Sequence, residues 1–226
     1  MDTDERSRSF FVHRDLITSR SKFFAKALRN YGESSNGDIT WREGEHGIVE
    51  LPEDCLDVFS HYLELIYQGH VPVGKQFVGD TEAMSYKERI KAVGEFHDQE
   101  YVALSKLYVF CEKVGDVQSK VMLVTAFVET SQKVRTSAST YCANAECTKI
   151  VYDGTLDGDP LRKWMVTCFA LRAHESWFTG ERVENYNPQF LLDVMAEMAK
   201  RRAQISDYSE IRNAEHYCKQ LLEAEK

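Results

Sequence analysis

The sequence predicts an α+β fold: a small β-sheet capped by α-helices, followed by a mostly helical C-terminal extension. Three observations carry this. Two short stretches, SFFV (residues 9–12) and IVEL (48–51), are rich in aromatic and β-branched residues and stop at turn or proline signals, as strands do. Each is followed by apolar residues recurring at helical spacing. From residue 100 onward, helical stripes separated by caps and breaks dominate.

In chain order, Ser9–Val12 is the first strand, and Asp15 is placed to cap a helix carrying Leu16, Phe23, Phe24, Ala27 and Leu28. The Gly-, Ser- and Asn-dense stretch 30–47 reads as a loop. Ile48–Leu51 is a second strand, ended by Pro52, which lacks the N–H that a ladder needs. Asp54 is expected to cap a helix with an apolar face of Val58, Phe59, Tyr62, Leu63 and Ile66, stopped by Gly69. Residues 70–98 are more polar, with a short helix near Thr81–Val93.

Leu104, Leu107, Tyr108, Cys111 and Val114 then repeat at helical spacing; Gly115 breaks the run, and Val117, Val121, Val124 and Val128 begin a second stripe. This predicts an antiparallel helical pair. Residues 130–140 read as a linker or a frayed helix end, and IVYDGTLDGDP (150–160) as an extended piece with turns. Asp159–Pro160 and Asn187–Pro188 are cap and first-turn pairs. They open helices with Leu161, Trp164, Met165, Cys168 and Leu171, and with Phe190, Leu191, Val194, Met195 and Met198. Tyr208–Glu223 is charged, with a thin apolar stripe at Ile211, Cys218, Leu221 and Leu222, and reads as a peripheral helix.

Composition narrows the function. The 226-residue chain has a formal net charge of −8, which opposes phosphate backbones and argues against nucleic acid as a partner. No apolar run approaches the roughly 20 residues a membrane span requires. The polar N-terminus has no signal-peptide core. The expected location is therefore cytoplasmic or nuclear, without membrane contact. The six cysteines are then expected as reduced thiols.

Chemistry-bearing patterns are scarce. None of the seven histidines has metal-binding spacing, and HDQE (97–100) reads as a solvated helix cap. No nucleophile elbow, phosphate loop or dinucleotide fingerprint occurs. Only Cys142 and Cys147 in CANAEC resemble a ligand pair, and a second pair would have to come from Cys168 and His174. A metal protein or enzyme using Cys142 and Cys147 is thus the alternative. The preferred reading has no catalytic residue, no cofactor and no metal, leaving protein–protein contact as the function.

Three ordered blocks resemble the BTB/POZ family. In FFVHRDLITSRSKFF, Phe11, Val12, His13, Arg14, Leu16, Ile17, Ser21, Phe23 and Phe24 fill its opening pattern. In IVELPEDCLDVFSHYLELIYQG, Ile48, Leu51, Pro52, Phe59, Leu63, Tyr67 and Gly69 match. In LSKLYVFCEKVGDVQSKV, Leu104, Leu107, Tyr108, Lys113 and Val114 are in register. The resemblance covers residues 9–130; residues 131–226, the helical extension, are similar to the tails of fungal BTB-like proteins.

The resemblance implies a non-catalytic interaction module that dimerises through its first helix and an N-terminal strand. It further implies an adaptor for a cullin-type ubiquitin ligase, or alternatively a scaffold in transcription complexes. Arg14 matches the arginine of the charged dimer pocket in the transcription-factor branch, but the pocket's aspartate lies on an earlier strand that has no counterpart here. MDTDERSR is too charged for an apolar strand, so the family's first strand is expected to be missing. A truncated relative with lost dimerisation is a further reading. The expected contact surface is Phe10, Phe11, His13, Arg14 and Ile17. Leu16, Ser21, Phe24, Leu51, Phe59, Leu63, Tyr67 and Gly69 are the family-motif residues behind it. Against this stands the reading that Phe10, Phe11, Phe23 and Phe24 are all core.

Overall fold

The computed structural model describes residues 8–29, 46–72, 85–133, 143–178 and 180–202. Among these residues every regular element is helical, which overturns the expected α+β fold and its small sheet. Ser9–Val12 and Ile48–Leu51 do not form strands. Among the described residues, no backbone hydrogen bond joins Ser9–Val12 to another segment, and none joins Ile48–Glu50. β-Branched composition favours an extended chain, but a strand exists only where a ladder partner lies about 4.8 Å away. Here side-chain burial takes the place of the ladder: Val12, Val49 and Leu51 pack onto the helical core.

The first helical run is broken in two, α1 (Arg14–Arg20) and α2 (Lys22–Ala27). Ser21 makes the break. Its buried hydroxyl accepts from the Phe24 amide at 3.1 Å and donates to the Val114 carbonyl at 2.6 Å, capping α2 and tying it to a distant helix end. Asp15, the expected cap, lies inside α1, whose N-cap is His13 without a side-chain capping hydrogen bond.

Helix α3 (Leu56–Gln68) buries Tyr62, Leu65 and Ile66 and ends on Gly69, whose φ of 68° is the left-handed cap a glycine accepts without strain. Its N-cap is Cys55; the expected cap Asp54 instead accepts from Lys113 Nζ at 2.8 Å.

The spine is α4 (Tyr86–Val114), roughly 43 Å long. Ser85 and Glu88 form a reciprocal capping box at its start, and Gly115 (φ 69°) ends it. The short helix expected near 81–93 is therefore the front of this element, and HDQE lies in its middle rather than at a cap. Helix α5 (Val117–Lys133) turns back along it. Its buried face is Ser119, Leu123, Phe127, Thr130 and Ser131, whereas Val117 and Val121 of the expected stripe are 61% exposed.

Helix α6 (Ala145–Gly154) takes in Ile150–Gly154, the first part of the stretch 150–160 expected to be extended. Asn144 caps it by accepting from the Cys147 amide at 3.0 Å. Gly154 lets α6 approach α4: a Cβ there would lie 2.2 Å from a Val109 methyl. Helix α7 (Pro160–Arg172) is capped by Asp159, and α8 (Pro188–Arg202) by Asn187, as the sequence predicts. Two short 3-10 segments, Glu175–Trp177 and Gly180–Asn185, link them. One hydrophobic core runs from Ile17 and Phe24 through Leu104, Leu107, Leu123 and Phe127 to Met165, Phe169 and Phe190. Helices on both sides of residue 130 thus share a core, and α4 packs directly on α6.

Candidate functional site

The expected contact residues gather at the start of the described chain. Phe10 packs edge-on against Phe59, with ring centroids 5.1 Å apart, and the Arg8 guanidinium sits 5.1 Å from the Phe10 centroid. The Tyr67 hydroxyl lies 2.9 Å from the His13 amide, which donates to it, and 2.7 Å from His13 Nδ1. Between these anchors Phe11 is 100% exposed. Arg14 donates to the Leu28 carbonyl, closing α1 onto the end of α2. Ile17 is buried and supports the segment from beneath.

The family-motif residues divide by role. Ser21 and Phe24 are buried, and Leu16, Leu51, Phe59 and Leu63 pack half-buried against the core. Tyr67 is the exposed partner of His13, and Gly69 is the cap of α3. Phe23 stacks edge-on with Phe24 at the surface. Of the four phenylalanines, then, Phe24 belongs to the core and Phe11 does not.

Two buried polar networks lie behind this surface and were not anticipated. In the first, Asp116 accepts from Arg20 Nε at 3.3 Å, the Tyr62 hydroxyl at 3.2 Å, the Ser119 hydroxyl at 2.7 Å and the Ser119 amide at 2.9 Å. Burial, reinforced by the Asp116 charge, drives the Tyr62 phenol far above its ordinary value, so it stays a donor. In the second, Asp159 accepts from the Tyr108 hydroxyl at 2.9 Å and from Lys120 Nζ at 2.9 Å. Lys120 also pairs with Glu112 and lies 4.8 Å from the Tyr108 centroid. Burial alone would depress the Lys120 ammonium, but its hydrogen bonds to Glu112 and Asp159 raise it above the ordinary lysine value. GDVQS (115–119) was the readable signal for the first network: a glycine stop followed by an Asp-x-x-Ser cap.

Among the described residues Cys111, Cys147 and Cys168 are buried as packing groups, whereas Cys55 is exposed. Cys147 is buried, and burial pushes it up to about 12; burial also raises Cys111, with the Asp116 charge adding to it. Cys142 lies outside the described residues. Among the described residues no group of three or more His, Cys, Asp or Glu side chains could hold a metal ion. No helix among them is long and apolar enough to cross a membrane.

HDQE is a half-buried polar cluster. His97 Nδ1 lies 3.1 Å from Glu100, and Asp98 is hydrogen-bonded to the Asn144 side chain. Desolvation raises the Asp98 carboxyl above its ordinary 3.8, outweighing that hydrogen bond. A carboxyl raised in the native state contributes stability that is present below the unfolded value near 3.8 and is lost as pH climbs through the native one. Asp98→Asn should therefore flatten the stability profile above about pH 4. Urea midpoints at pH 4 and pH 7 check this: the drop between them should shrink in the variant.

No protein-family model, no curated protein and no solved structure matches the chain. Its function is argued from its own surface.

Proposed function

We propose that the chain is a non-catalytic protein–protein interaction module that engages another protein through the Ser9–Arg14 segment. The observation that carries this reading is Phe11, a full aromatic side chain held in water between two anchored neighbours, Phe10 on Phe59 and His13 on Tyr67. Anchoring lowers the entropy cost of presenting an aromatic, and buried aromatics are the commonest hot spots of interfaces. Among the described residues no backbone–backbone hydrogen bond joins Ser9–Val12 to another segment, so a partner strand can hydrogen-bond to it.

The three BTB-like blocks supply the partner class: a second copy of the chain, or a cullin-type ubiquitin ligase scaffold for which the chain is the adaptor. The all-helical architecture departs from the sheet-bearing fold of that family, so the reading rests on the surface.

The test is sedimentation over a concentration series, with and without a purified cullin N-terminal region, on the native chain and on Phe11→Ser. The native chain should self-associate or bind the cullin, and the substitution should weaken that contact by about tenfold or more, as removal of a hot-spot aromatic does. Its melting temperature should not change, because the Phe11 side chain is fully exposed. A native chain that stays monomeric and ignores the cullin would sink the proposal.

A further inference from the structure

The first two helices are basic in an acidic protein. Residues 8–29 hold six lysines and arginines and a single acid, Asp15, a net charge of +5 in a chain whose total is −8. Arg20 is held by the buried Asp116, while Arg14, Lys22, Lys26 and Arg29 are exposed. The side chains of Lys22 and Lys26 have no ion-pair or hydrogen-bond partner among the described residues.

Two adjoining hollows lie in this surface. The larger, about 600 Å³, lies between α1 and α2, with Arg14, Thr18, Ser19, Ala25 and Arg29 in its lining. The smaller, about 260 Å³, shares Thr18, Ser19 and Ala25 with it and runs past Lys22 to Val117 at the head of α5. Together they make one groove, with arginines at one end and, at the other, Lys22 beside the exposed Val117. The Thr18 hydroxyl donates to the Arg14 carbonyl at 2.9 Å, and the Ser19 hydroxyl to the Leu16 carbonyl at 2.8 Å. With their protons used inside the helix, these hydroxyls offer a ligand lone pairs, which accept from amide N–H groups and repel phosphate oxygens.

We infer that this groove is a docking site for a short acidic peptide segment of a partner protein, separate from the Phe11 contact. Carboxylates of the segment pair with the cations at the groove ends, its amides donate to Thr18 and Ser19, and an apolar residue reaches Val117. A nucleic acid or an anionic membrane fits less well. Either would extend past the groove onto the rest of the chain, whose net charge is −13.

Fluorescence anisotropy on the full chain tests this with a labelled peptide of five glutamates around one leucine, and with the same peptide carrying glutamines as control. The native chain should bind the acidic peptide saturably, more weakly as salt rises, and should ignore the glutamine peptide. Lys22→Glu should weaken binding by about tenfold or more, and Lys22→Gln by less. Both should keep the native circular dichroism, because Lys22 is exposed and glutamate is favourable in the first turn of a helix. Lys163→Glu, the same charge change at an exposed position of α7, should bind as the native chain does, and so should Phe11→Ser. The groove therefore stands or falls apart from the Phe11 contact. No binding, equal binding of the glutamine peptide, or an equal loss in Lys163→Glu or Phe11→Ser overturns the inference. Tighter binding of duplex DNA or of phosphatidylserine vesicles than of the peptide also overturns it. Self-association of the native chain that Lys22→Glu abolishes would do the same, by giving the groove to a second copy.

Discussion

Replacing Asp116 with alanine should destabilise the protein by about 3–5 kcal/mol, the usual cost of removing one partner from a buried charge pair. The Asp116 side chain is fully buried, and Arg20 beside it is only 17% exposed. Alanine would remove the acceptor of four donors at once: the Arg20 guanidinium, the Tyr62 hydroxyl, and the Ser119 hydroxyl and amide at the start of α5. Each left without an acceptor costs its desolvation, and the loss of the helix cap adds to it. Asp116→Asn separates these contributions. It keeps one acceptor, for the Ser119 amide at the helix cap, while the oxygen facing Tyr62 and Arg20 becomes an NH2 group and the charge is lost, so it should cost less than alanine by about the worth of the cap. Urea unfolding of both variants and of Arg20→Ala, combined as a double-mutant cycle, measures the Arg20–Asp116 coupling. A loss below about 1 kcal/mol for Asp116→Ala would show that the network is not buried in solution.

The same residue explains what the sequence concealed. Composition and periodicity reveal elements whose stabilising residues are neighbours in the chain. The caps at Asp159 and Asn187 and the stops at Gly69 and Gly115 were all legible, because each is decided within one turn of helix. Beyond Ser119, the partners of Asp116 are not neighbours: Tyr62 is 54 positions away and Arg20 is 96. The face of α5 was misread for a related reason. Its core side carries Ser119, Thr130 and Ser131, whose polarity interrupts the apolar pattern, while Val117 and Val121 lie on the outside. Ser119 is buried because it binds Asp116, and Ser131 because its hydroxyl donates to the Val128 carbonyl. Hydrophobic periodicity has no means of counting a polar group whose hydrogen bonds are satisfied internally.

The missing sheet has a different origin. SFFV and IVEL have the composition of strands, but strand propensity largely measures how a side chain packs on a half-buried surface. Val12, Val49 and Leu51 find that surface on helices, and among the described residues no backbone–backbone hydrogen bond joins Ser9–Val12 or Ile48–Glu50 to another segment. Of the candidate contact surface, the location was readable and the distribution of roles was not. Phe10 and Phe11 are adjacent and chemically identical, yet one packs on Phe59 and the other is wholly exposed. That difference depends on where α3 lies, which no local pattern encodes.

Phe190→Ala should be comparably damaging, at about 3–5 kcal/mol for a fully buried phenylalanine, and its spectroscopic signature is the sharper test of the architecture. The Phe190 ring lies 4.9 Å from Phe169, 5.6 Å from Tyr152 and 5.9 Å from Tyr186, centroid to centroid, so it joins α6, α7 and α8. If these helices were an appendage, the cavity would loosen them alone. Several contacts oppose that outcome: Asp159 at the head of α7 holds both Tyr108 and Lys120, Phe127 of α5 packs on Trp164, and α6 lies against Val109 at Gly154. Cavity energy should therefore be felt by α4 and α5 as well. Trp164 and Trp177 report on the C-terminal helices, once Trp41→Phe removes the remaining tryptophan, while far-UV circular dichroism is weighted toward the long α4 and α5. In urea, both signals should shift to the same lower midpoint in Phe190→Ala. Tryptophan fluorescence moving ahead of circular dichroism would instead divide the molecule near residue 130. In the coincident case, the C-terminal helices are part of the scaffold that holds the Phe11 surface in place.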